Sequence, residues 1–233
     1  MAGDKVPSKA PWVDAVKKTG RLTLGLDPSL HQALWDKMFT SAIFEFNKLS
    51  ANYKLGVVFA KADDVKSANV EARAAKGDFD FEFPPDVAKT RIRFDGNTVH
   101  GLCKPALTQV GGQSATDPYR MVKAFIYVPA APMTDGRPIG DPVKLVMAVH
   151  EMVHACGLVS NDEHSVDDLF CWPVPLFGTR ASEDRVGAAG PAYTIAGTGG
   201  PGQPPARTGH QTIAMPPLFL KSGTIGKIRQ LWS

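Results

Sequence analysis

Residues 141–158 read DPVKLVMAVHEMVHACGL, and the fold class turns on them. Asp141 is a capping carboxylate, and Pro142 suits the first helical turn, where its missing N–H costs nothing. Val143, Leu145, Val146, Ala148, Val149, Met152 and Val153 leave the segment apolar nearly all round. A helix of that kind is buried against other elements and not laid on a surface. Gly157 is placed to end it, because glycine takes up the left-handed conformation without a Cβ clash.

The flanking pattern supplies what this helix would pack on. Residues 123–128 (KAFIYV) form the clearest strand, and residues 21–26, 55–61 and 69–74 read as others. Residues 79–83 and 90–94 alternate apolar with polar and suggest a hairpin around Pro84-Pro85. Residues 99–106 suit a strand whose Pro105 cannot donate to a ladder, which favours an edge. Asp27-Pro28 opens a second long helix. Its Leu30, Leu34, Met38, Ala42, Phe46 and Leu49 recur at helical spacing to about residue 50. Residues 1–20 read as a polar arm anchored by Trp12 and Val13, residues 186–209 as a Gly/Pro-rich loop, and residues 224–232 as a terminal helix.

The buried helix carries His150-Glu151-Met152-Val153-His154. Residues four apart share a helix face, so two imidazoles can hold one Zn²⁺ from the same side. Glu151 is turned aside from that face and can serve water at the metal as a base without being a ligand. Zinc lowers the pKa of such a water and polarises a carbonyl, which is the chemistry of amide hydrolysis. Coincidence is the competing explanation, but burying two histidines and a glutamate on an apolar helix is costly without a metal.

The run at residues 150–158 resembles the metzincin signature HExxHxxGxxH, in its matrixin-like branch. The resemblance implies a zincin-like α+β fold: a twisted mixed sheet with two long helices, one bearing HExxH, and a small loop-rich C-terminal subdomain ending in a helix. The order of elements over residues 21–233 is similar to the family's, divided into an upper part, 21–157, and a lower part, 158–233. Residues 99–105 fall where the family has its substrate-binding edge strand. The resemblance implies a zinc endopeptidase taking a protein or peptide substrate, with Glu151 as general base and acid and His150 and His154 as ligands. Ile213-Ala214-Met215-Pro216 resembles the Met-turn, with Met215 beneath the metal. The family's third histidine follows the glycine by three residues, where this chain has Ser160. His164, four residues further on, is the expected third ligand after a short insertion. Asp162 competes for the role.

Composition narrows the alternatives. The net charge of +3 and the absence of any Lys/Arg-rich run leave no footprint for nucleic acid. No stretch is apolar enough to span a bilayer. Cys103, Cys156 and Cys171 are odd in number and widely spaced, which argues against a disulfide framework; they read as buried thiols, with one bridge plus a free thiol as the alternative. His31, His100 and His210 lack ligand spacing, Tyr127 and Tyr193 have no assigned part, and Asp63, Asp64, Asp167 and Asp168 form no calcium loop. The polar start lacks a secretory h-region, and the expectations left open are a cytoplasmic protein, export by another route, a leader missing from this sequence, or a component of a particle. The second function class is therefore a structural component of a large assembly, such as a phage particle, carrying this domain in active or vestigial form. Chromatography of the isolated protein separates the two, since a compact active monomer disfavours the assembly.

Overall fold

In the computed structural model, residues 9–83, 87–94, 101–110, 119–134, 137–159, 174–175, 185–186 and 218–233 are described. Five strands make the central sheet: β1 (Arg21–Leu26), β2 (Val58–Lys61), β3 (Val70–Ala75), β6 (Leu102–Gln109) and β7 (Tyr119–Pro129). Their order is β2-β1-β3-β7-β6. The pairs β1–β2, β1–β3 and β3–β7 are parallel, whereas β6 runs antiparallel to β7. The molecule is thus α+β with a mixed sheet. The expected hairpin is present as β4 (Gly77–Phe83) and β5 (Val87–Phe94), antiparallel and forming a sheet of its own.

Strand periodicity sorts the sheet's two faces. Val70 and Ala72 of β3 and Ala124, Ile126 and Val128 of β7 point to one side. There they share a core with two long helices, α3 (Asp36–Tyr53) and α4 (Asp141–Ala155). Phe39, Ala42 and Phe46 of α3 and Leu145, Val149 and Met152 of α4 are buried in that layer. On the other face, Tyr127 packs with Phe94 of β5, and the buried Glu71 pairs with Arg73 and with Lys123 at 3.2 Å. Pro105 lies in β6, opposite Ala124, on the strand that ends the sheet order, as its missing N–H led us to expect.

The helix expected over residues 28–50 is two helices. A short α2 (Pro28–Gln32) begins at Asp27, whose carboxylate accepts from the Ser29 N–H at 2.9 Å. The chain then breaks at Leu34, whose φ is +57°, and restarts as α3. The break buries Trp35 completely, with its indole N–H donating to the Pro129 carbonyl at 2.9 Å, and leaves Leu34 71% exposed. Helical spacing had put Leu34 on the buried stripe. A tryptophan seated in the core with its N–H satisfied outweighs one turn of helical continuity.

The α4 helix starts one residue earlier than its cap was expected. Gly140 is the N-cap, so no capping side chain closes the end, and Asp141 is already helical in the first turn. Its other end is built as read, with Gly157 at φ +116°. The terminal helix, α5 (Ser222–Trp232), is present, and among the described residues no helix is long and apolar enough to cross a membrane. The described part of the N-terminal arm, which includes the short α1 (Asp14–Lys17), is packed into the domain, with Ala10 and Trp12 fully buried and Val13 N–H donating to the Met121 carbonyl.

Candidate metal centre

His150 and His154 stand one turn apart on α4 and face each other. Their ring centroids lie 4.9 Å apart and their Nε2 atoms 3.1 Å apart. His154 is buried and His150 half-buried. The Nδ1 of His154 lies 2.5 Å from the Leu158 carbonyl oxygen. A carbonyl only accepts, so Nδ1 carries the proton and the neutral ring keeps its lone pair on Nε2. That is the atom turned toward His150.

This donor set fits a zinc ion. Tetrahedral ligation at about 2.0–2.1 Å places two imidazole nitrogens roughly 3.3 Å apart, close to the spacing found here. Ligating histidines ordinarily hand their other ring N–H to a carbonyl or carboxylate, as His154 does. A metal needs further ligands, and among the described residues no group of three or more His, Cys, Asp or Glu side chains gathers. His164, Asp162 and Met215 lie outside the described residues, so the pair is what the structure brings together.

Glu151 is the second feature of the site. It is only 3% exposed, and its Oε2 has no hydrogen-bond partner among the described residues. Burial drives its pKa up to about 8, against the opposing pull of the Lys104 ammonium. Glu151 is thus a buried carboxyl with an unmet oxygen, next in sequence to His150 and three residues before His154, and such perturbed groups cluster at functional sites.

What holds Glu151 in place was not read from the sequence. A Cβ added to Gly101 would fall 2.6 Å from Glu151 Cγ and 2.8 Å from Oε1. The backbone entering β6 therefore runs directly against the carboxyl, and any side chain at this position would require the carboxyl or the strand to shift. A glycine at the head of a strand is the sequence sign of such close approach. Leu158, whose carbonyl meets His154 Nδ1, was likewise not singled out as part of the site.

The residues set aside behave as structural groups. His31 is exposed and pairs with Asp36 at 3.2 Å. Asp64 accepts from the backbone N–H groups of Lys66 and Ser67 and so closes a turn. Cys103 and Cys156 are free and buried, and burial pushes both thiols well above their ordinary pKa. Tyr127 faces away from α4, and burial raises its hydroxyl to about 12. Cys171, His100, His210, Tyr193, Asp167 and Asp168 lie outside the described residues.

Compared with known proteins, the chain matches no family model and no curated protein sequence.

Proposed function

We propose that the chain is a zinc-dependent endopeptidase with a zincin-like catalytic domain of the metzincin type. The observation that carries this reading is the buried Glu151 carboxyl, its Oε2 without a hydrogen-bond partner among the described residues, on the same helix as two imidazoles whose Nε2 atoms lie 3.1 Å apart. His150 and His154 would hold the metal through Nε2, and His164 is the proposed third ligand, with Asp162 its rival. When bound, zinc supplies Lewis acidity toward a water and a carbonyl oxygen, and a positive charge that draws the Glu151 carboxyl toward its ionised form.

The chain's own residues do the rest. Glu151 takes a proton from the water that attacks the peptide carbonyl and delivers it to the departing nitrogen. Gly101 lets the β6 backbone press on Glu151 and fix its direction. Because β6 ends the sheet order, an extended peptide can add beside it as a further strand, close to Glu151. The mixed sheet, the antiparallel β6 and the α4 helix with its glycine end support the family reading. Met215 would sit in the turn beneath the metal.

The test is paired: zinc content and peptide hydrolysis in wild type and in Glu151→Gln, with and without chelator. We expect chelator-sensitive hydrolysis in the wild type. We expect Glu151→Gln to keep its zinc and lose activity, because the residue moves a proton and is not a ligand. Near-wild-type hydrolysis by the variant, or hydrolysis indifferent to metal, defeats the proposal.

A further inference from the structure

The carbonyl that fixes the His154 ring belongs to Leu158, just past the end of α4, and residues 9–12 hold that turn. Lys9 and Leu158 form an antiparallel bridge, and the Ala10 N–H donates to the Gly157 carbonyl at 2.9 Å. In a bridge of this register the central residues direct their own N–H and C=O away from the partner strand. The Leu158 carbonyl is accordingly turned from the arm toward His154 Nδ1. The arm is itself pinned. The Trp12 indole N–H donates to the Ala155 carbonyl at 2.8 Å, and Pro11 and Val13 bond to Met121 of β7. The fit leaves no slack, since a Cβ on Gly157 would lie 2.8 Å from the Ala10 carbonyl oxygen.

We propose that residues 9–12 are a positioning element for His154: by bridging Leu158 they aim the carbonyl that sets the ring's tautomer and direction. That His154 then serves as a ligand rests on the metallopeptidase reading above. Trp232 provides the internal comparison. Its indole N–H donates to the Cys156 carbonyl at 2.9 Å, capping the same helix end from α5 and not from the arm. A merely structural arm would make the two caps equivalent.

Two readouts test this on the full chain. The first needs no metal: the ring ¹⁵N shifts of His154 in chelator-treated protein report its tautomer. Wild type is expected to show Nδ1–H alone, and Ala10→Pro, which deletes the N–H to Gly157, a mixture of both forms. The second is zinc affinity by competition with a chromophoric chelator. Ala10→Pro is expected to weaken it about 10–100-fold, the range for a lost outer partner of a ligating histidine. Trp12→Phe keeps the ring and the backbone but drops the indole N–H. It should weaken zinc several-fold, and it decides the matter if Ala10→Pro fails to fold. Trp232→Phe should lower Tm while leaving tautomer and zinc affinity within twofold of wild type. The inference is overturned by a mixed tautomer in wild type. Where wild type binds zinc, it is equally overturned if the arm variants leave zinc affinity unchanged, or if Trp232→Phe weakens it as much as they do. Should wild type bind no zinc while the tautomer responds as stated, the metallopeptidase reading fails and the positioning of His154 stands.

Discussion

At the scale of single residues, Gly101 is constrained more tightly than its own chemistry requires. Gly101 has no room for a methyl group against Glu151. Gly101→Ala must therefore push the carboxyl aside or move the strand. Displacements of about 1 Å at a reacting group cost on the order of 100-fold in rate. We expect kcat/KM to fall by about that factor with zinc content unchanged, a separation that metal analysis and peptide kinetics on one preparation will reveal. At the proposed third ligand, His164→Ala should lose zinc severely and Asp162→Ala should bind near normally, as measured by chelator competition. The reverse pattern transfers the role to Asp162. The His150–Glu151–His154 trio was legible in the sequence because helical spacing alone juxtaposes it. Gly101 and Leu158 were not, because their closeness to the trio depends on where a strand and a turn return in space.

Among the elements, periodicity served best where one stripe of residues has one neighbour. Strands β1, β3 and β7, the β4–β5 hairpin and α4 all lie close to their expected positions. The first long helix failed at residues 34–35, where the stripe continues in sequence but the chain breaks to seat Trp35 against Pro129. No local pattern carries that information, since the partner is 94 residues away. The short α2 depends on its cap. Burial raises the Asp27 carboxyl, but the Ser29 hydrogen bonds and the Arg73 charge prevail and hold it below 3.8. A lowered folded pKa adds stability that is full above the unfolded value and is lost as pH falls through the folded one. Asp27→Ala should therefore cost about 1 kcal/mol at neutral pH. The difference from wild type should shrink below pH 3.8, as followed by urea unfolding at neutral and acid pH.

For the whole molecule, zinc should act as a stabilising ligand. Free metal at 100 times its Kd adds about 2.7 kcal/mol to a state that alone binds it. For a chain of this size that corresponds to a rise in Tm of roughly 5–10 °C. Calorimetry with added zinc and then with excess chelator should show the rise and its reversal. A Tm indifferent to both would deny any metal site coupled to the fold.

The end of α4 also has a history within the folding reaction. The Trp12 and Trp232 indoles reach it from 143 and 76 residues away, so no local segment can complete it. Contacts at such separation must overcome the loop-closure entropy of everything between them and form after nearby pairings. The helix can therefore wind, and even present its two histidines, well before the Leu158 carbonyl is in place behind them. During refolding, helical circular dichroism should recover first and tight zinc uptake last. On the metallopeptidase reading proposed above, a nascent or partly unfolded chain would then carry the His-Glu-His motif before it could hold a metal tightly.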